Sequence, residues 1–223
     1  NEYAFLGADQ VTEEIDPNKI AFSPNGDGEM DVVLPIVSYL RNAREVNVSI
    51  INSSGREIAS LGSLEYVTKD YYDSGRGSYY TLIRELSWDG TRNGRMVVPE
   101  GQYYIQLEGV IDYEGAKAQT FRLPVKVDYT KPTISGTLGQ DRRTLTLNIS
   151  DNLSGVAIYQ VLVDNKVVRE GYNANGTLTV DLGSPLKSGG KISAVALDYA
   201  GNLVEKIILQ ERSARPTSGA MLQ

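Results

Sequence analysis

The densest set of metal-capable side chains is the run Phe22-Ser-Pro-Asn-Gly-Asp-Gly-Glu-Met-Asp31. Ser23, Asn25, Asp27 and Asp31 place oxygens at recurring positions, and Gly26 and Gly28 permit the sharp turns that would aim them at one point. That spacing matches the early part of a calcium loop, in which positions 1, 3, 5 and 9 donate and a glycine follows position 5. The bidentate glutamate of an EF-hand would fall on Leu34, so an EF-hand is excluded. Two readings stand: a bound Ca2+, or a glycine-rich turn in which Asn and Asp bond their own backbone. A second acidic set is Asp151, in Asp151-Asn-Leu-Ser-Gly-Val156, and Asp198, in Ala196-Leu-Asp-Tyr-Ala-Gly-Asn202. Each places an Asp or Asn beside a glycine, which is turn chemistry. A pairing of the two carboxylates around a cation is the functional alternative.

Catalytic chemistry is restricted by composition. The 223 residues contain no histidine and no cysteine. Ser–His–Asp and Cys–His arrangements cannot be assembled, and zinc sites built on His or Cys are excluded. Ser–Lys and paired-carboxylate chemistry survive that filter. Glu13, Glu14 and Asp16 lie close together but in a segment with few apolar anchors, a poor frame for an acid–base pair. No catalytic residue is assigned. The formal charge of −6 without a basic cluster argues against nucleic acid and against an anionic membrane surface. No apolar run approaches the ~20 residues that span a bilayer, so membrane insertion is not expected.

Two aromatic features remain. Tyr66, Tyr71, Tyr72, Tyr79 and Tyr80 cluster in sequence and form either a binding patch or a self-packed loop over a sheet edge. Trp88, the single tryptophan, is expected to plug a core, with Asp89-Gly90 and Asn93-Gly94 as tight hairpin turns. Sugar stacking is its alternative role.

The elements that must position these residues read as all-β. Val46, Val48 and Ile50 alternate with polar neighbours, as do Tyr103, Ile105 and Leu107, and then Leu145, Leu147 and Ile149. Further strands are expected over 19–22, 31–40 with a break at Pro35, 57–61, 80–88, 121–127, 156–163, 167–170, 178–182, 191–197 and 204–209. A long loop or short helical insertion is expected over 62–79. Asp164-Asn165-Lys166 reads as a hairpin turn. The pattern resets at Asp128-Tyr-Thr-Lys-Pro132, where Pro132 stiffens the chain. The expected organisation is therefore two tandem β-sandwich modules. Residues 1–17 form a linker or the tail of a preceding module, 18–127 and 128–210 the modules, and 211–223 an exit linker or added tail.

These motifs together resemble a known family. Phe22-Ser-Pro-Asn-Gly-Asp-Gly-x-x-Asp31, Leu40-Arg-Asn-Ala43 and Trp88-Asp-Gly90…Gly101-x-Tyr103 look like the fibronectin type III-like domains behind the catalytic domain of cell-envelope subtilisin-like serine proteinases. That family includes lactocepin and the streptococcal complement-cleaving peptidase. The Trp-Asp-Gly…Gly-x-Tyr part alone is shared with the Ig-like domain of the flagellar hook-capping protein. Asp128-x-Thr130-x-Pro132 and the two Asp151 and Asp198 motifs are similar to generic bacterial Ig-like modules. The resemblance implies a monomeric, extracellular, secreted or wall-anchored accessory region. Its catalytic triad would lie in an upstream domain, and its partners would be a protein substrate or a host or cell-surface ligand met through the parent protein. The stalk of an adhesin or of a carbohydrate-active enzyme is the competing expectation.

Overall fold

The computed structural model describes residues 19–37, 42–67, 72–73, 77–78, 81–82 and 86–211. Among these the chain forms strands and no α-helix. It divides into two compact units, Asn1–Thr130 with Tyr199–Gly201, and Lys131–Asp198 with Asn202–Gln223.

The first unit contains β1 (Ala21–Phe22), β2 (Ile36–Val37), β3 (Ala43–Asn52), β4 (Glu57–Val67), β5 (Tyr72–Asp73), β6 (Gly77–Ser78), β7 (Thr81–Leu82), β8 (Gly101–Ile111) and β9 (Ala118–Val127). Its main sheet has the order β1-β9-β8-β3-β4. β1 runs parallel to β9 and the remaining pairs are antiparallel. The period-2 pattern sends Val46, Val48 and Ile50 of β3 and Tyr103, Ile105 and Leu107 of β8 to one side, where they are buried with Val125 and Val127. The opposite layer is thin. Among the described residues it consists of the β2–β7 pair and an isolated bridge between Val33 and Trp88, which delivers those two side chains to the core, where Phe22 of β1 meets them.

Three expectations about this unit need correction. Among the described residues, the strand expected over 31–40 is reduced to the Val33 bridge and β2, because Asp31 is drawn back into the preceding loop and the buried Pro35 lacks the donor a ladder needs. The strand expected over 80–88 is limited to β7 and the Trp88 bridge among the described residues. The loop or helical insertion expected over 62–79 begins too early. β4 continues to Val67 as an edge strand, passing a register shift opposite Val48 and Ser49 that Gly62, at φ 138°, accommodates.

The second unit contains β10 (Thr133–Leu138), β11 (Thr144–Ser150), β12 (Val156–Val163), β13 (Lys166–Tyr172), β14 (Gly176–Asp181), β15 (Lys191–Asp198) and β16 (Leu203–Gln210). They form two antiparallel sheets, β10-β11-β14 and β13-β12-β15-β16. Ile134, Leu145, Leu147 and Ile149 from the first meet Val156, Tyr159, Val161, Ile192, Ala194 and Ala196 from the second in one core. Asp164 and Asn165 both adopt positive φ between β12 and β13, the signature of a tight two-residue hairpin.

Candidate functional site

The Ser23–Asp31 loop is organised by its own side chains. Asp31 reaches back across it, accepting the Gly26 N–H at 2.7 Å through Oδ1 and the Gly28 N–H at 2.8 Å through Oδ2. Asn25 Oδ1 accepts the Asp27 N–H at 2.9 Å, and Asp27 Oδ1 accepts the Glu29 N–H at 2.9 Å. Asn25 Nδ2 donates to Asp27 Oδ2 at 3.0 Å. Ser23 is buried, and its N–H donates to the Met30 carbonyl. The side-chain oxygens of Asn25, Asp27 and Asp31 that spacing would aim at an ion each hold part of the loop's own network, as in an Asx turn.

The loop also locks onto the Trp88 motif. Trp88 is 1% exposed and lies edge-on between Phe22 and Tyr103, with centroids 5.3 and 5.4 Å away. Its indole N–H donates to the Thr91 carbonyl, so the ring is a satisfied core residue and offers no face for a sugar. Asp89 Oδ1 accepts both the N–H and the hydroxyl of Thr91. Asp89-Gly90 is therefore a bend and not the hairpin expected of it. Asn93-Gly94 does form the tight turn, with both residues at positive φ beside the Thr91–Val97 bridge. Tyr103 sends its hydroxyl to the Pro99 carbonyl at 2.8 Å, and burial raises its pKa, with Tyr129 adding to the rise and Arg92 opposing it.

In the second unit the fold brings together two acidic residues that are far apart in sequence. The turn after β11 carries Asp151. β12 then begins at Val156, whose partner across the ladder is Asp198 at the end of β15. Carboxylate oxygens of Asp151 and Asp198 come within 4.8 Å of each other, and both residues are buried. Asp151 Oδ1 accepts the Leu153 N–H at 3.0 Å and the Gly155 N–H at 2.7 Å. Asp198 is gripped by Asn202, whose N–H and side-chain amide donate to its two oxygens at 2.8 Å each. Like charges held this close in a buried site repel, and a bound cation would relieve that repulsion. An all-oxygen donor set suits a hard cation such as Ca2+. Asn202 was visible in its motif as a turn residue, but its grip on Asp198 depends on tertiary folding.

Of the aromatic set, Tyr66 is 77% exposed at φ 54° on β4. Tyr72 begins β5, whereas Tyr71, Tyr79 and Tyr80 lie outside the described residues.

No family model matches the chain. Among curated proteins, it is 29% identical over 202 residues to a C5a peptidase of Streptococcus pyogenes serotype M6, covering 82% of this chain and 17% of that protein. A second Streptococcus pyogenes C5a peptidase is 33% identical over 132 residues, covering 57% of this chain and 11% of the relative. The PI-type proteinase of Lactococcus lactis subsp. cremoris is 29% identical over 154 residues, covering 64% of this chain and 8% of its own length. The chain thus spans a small part of these relatives. Among solved structures, the fibronectin(III)-like modules of Clostridium thermocellum CbhA align with a TM-score of 0.39 at 15% identity, covering 88% of this chain and 91% of theirs. Homologues of this β-sandwich chain include the PI-type cell-envelope proteinase and the C5a peptidases.

Proposed function

We propose that the chain is a non-catalytic accessory region of a secreted or wall-anchored serine proteinase. In this reading it holds a catalytic domain away from the cell surface and contributes to binding of protein substrates or of the surface itself. The observation that carries the reading is the match to proteinases many times longer, made by a chain without a single histidine. Purified chain is expected to be monomeric by sedimentation and to leave casein intact. Cleavage of casein that persists through successive purification steps would overturn the reading.

Calcium belongs to this proposal as a structural ion. Of the two acidic sets, the buried Asp151–Asp198 pair is the better fit, because the Ser23–Asp31 loop closes through its own hydrogen bonds. Asp151 and Asp198 would hold the ion, with Asn202 fixing Asp198 in place. The ion would offset their charge and tie the β11–β12 turn to the end of β15. An ion held at 100 times its dissociation constant stabilises the fold by about 2.7 kcal/mol. Thermal melts in calcium and in EDTA are therefore expected to differ by several degrees. Coincident melts, together with no heat of binding on calcium titration, would remove the ion from the account.

A further inference from the structure

The second unit has two outer faces of opposite character. On the three-stranded sheet the outward residues are Thr133, Ser135 and Thr137 of β10, Thr144, Thr146, Asn148 and Ser150 of β11, and Thr177, Thr179 and Asp181 of β14. That is the pattern of a sheet with one face in water. The first unit does the same, with Ser60, Ser49, Gln106 and Arg122 aligned across β4, β3, β8 and β9.

The four-stranded sheet breaks this rule. β12 (Val-Ala-Ile-Tyr-Gln-Val-Leu-Val) and β15 (Lys-Ile-Ser-Ala-Val-Ala-Leu-Asp) are near-continuous apolar runs, the composition of strands covered on both faces. Register arranges the outward side chains into rows. Tyr172, Ile158, Leu197 and Leu203 form one row, and Val167, Leu162 and Ile207 another, with Ser193 buried between the last two. Between them runs Glu170, Gln160, Val195 and Glu205. Tyr172, Leu203, Ile207 and Val167 are 65, 53, 56 and 51% exposed. The carboxylate of Glu170 is positioned by Gln160 Nε2 at 2.7 Å and the Tyr172 hydroxyl at 2.6 Å, bonds that lower its pKa and keep it charged. Lys191, at the end of the sheet, has its ammonium on Asn165 Oδ1.

We propose that this face binds an extended polypeptide segment bearing a lysine or arginine with an apolar residue two positions to either side. Row spacing supplies the pattern. Rows on one face of a sheet lie two residues apart, about 6.8 Å, which is also the distance between same-side residues of an extended peptide. A segment aligned with the strands would set its apolar side chains on the two outer rows and its cation over Glu170 or Glu205. A second copy of the chain fits less well. Stacked face to face, two copies would oppose their acidic rows. Four strands by three rows also cover only about 400 Å², half of the ~800 Å² per partner of a stable interface. The proposal rests on the accessory-region reading only in taking the partner to be a polypeptide.

The test uses the full chain and a short labelled peptide with the core Val-Thr-Lys-Thr-Leu, followed by fluorescence anisotropy at low salt. Saturable binding is expected, weakened as salt screens the charge pair. Moving the lysine by one position or replacing it by glutamate should cost at least about tenfold in affinity. Ile207→Ser and Glu205→Lys should do the same, while Thr177→Lys on the threonine face should not. Leu203→Ser provides a second apolar variant, and thermal melts verify that each variant is folded. Absence of saturable binding overturns the proposal. So does equal binding of the shifted peptide, or binding untouched by Ile207→Ser, Leu203→Ser and Glu205→Lys. Self-association of the chain that Leu203→Ser abolishes would make a second copy the occupant and also overturn it. Failure here leaves the accessory reading standing, whereas peptidase activity of the chain would remove that reading without touching the peptide result.

Discussion

Replacing Gly90 by alanine tests how the two motifs of the first unit are joined. Gly90 sits at φ 74°, and a Cβ built there would lie 2.5 Å from Pro24 Cγ, 2.8 Å from Pro24 Cβ and 3.5 Å from Phe22 Cε2. Left-handed geometry costs an L-residue about 1–2 kcal/mol, and overpacking a filled contact costs about 1–3 kcal/mol. The sum is about 3 kcal/mol, which for a module of this size lowers Tm by about 12 °C. Gly94 provides the control. It has φ 69° but nothing within 4 Å of an added Cβ, so Gly94→Ala should lose only the backbone term, about 4 °C. Pro24→Gly removes both clashing carbons, so the Pro24→Gly/Gly90→Ala pair should be less destabilised than the sum of its singles by about 1–2 kcal/mol. The assay is calorimetry with Trp88 fluorescence as a local probe. Equal losses at Gly90 and Gly94, or strict additivity with Pro24→Gly, would refute the contact as the reason for glycine.

Further outcomes follow from the same geometry. Trp88→Phe removes the bond to the Thr91 carbonyl and part of two edge-on ring contacts, and is expected to cost about 2 kcal/mol, read as a fall in the urea midpoint. Arg143 forms a two-pronged hydrogen-bonded pair with Asp181, which lowers the Asp181 pKa to about 2. A carboxylate whose folded pKa is depressed stabilises the fold above its unfolded value, and that contribution is lost as pH falls through the folded value. Between pH 4 and pH 2 the Tm of the second unit should therefore fall less steeply in Asp181→Asn than in the native chain. Parallel slopes would show that the pair does not sense folding.

Strand periodicity was readable where alternation was strict, as in Val46, Val48, Ile50 and Leu145, Leu147, Ile149, because burial of one face selects every second residue. It failed where other terms dominate. β10 was not expected, since its sequence Thr-Ile-Ser-Gly-Thr-Leu includes a glycine that weakens the pattern. Gly136 is there because a Cβ would press on Ile208 Cγ2 at 3.1 Å and the Thr146 carbonyl at 3.2 Å, a constraint set by packing from elsewhere in the unit. The parallel β1–β9 pairing joins residues about a hundred positions apart and leaves no local trace. Asp151 and Asp198 were each legible as turn residues. Their proximity comes from the Val156–Asp198 register, which local spacing does not contain.

Asp, Asn and Gly make turns and calcium loops with the same atoms, so burial has to separate the two roles. Asp31 spends its two oxygens on the N–H groups of Gly26 and Gly28 in an exposed loop. Asp31→Asn replaces one acceptor with an amide that meets a donor, so it should lower Tm by a similar amount in calcium and in EDTA. Asp198 differs because it is buried beside a second carboxylate. In EDTA, Asp198→Asn removes one of two facing like charges, and the Asn202 side-chain amide can turn to accept from the new amide, so the substitution should cost little or even raise Tm. In calcium the same substitution removes an ion ligand, and Tm should fall below that of the native chain. The sign of the Asp198→Asn effect should thus reverse with calcium while that of Asp31→Asn does not. Should both substitutions respond alike in the two conditions, the buried pair is a turn like the exposed one and the cation has no place in it.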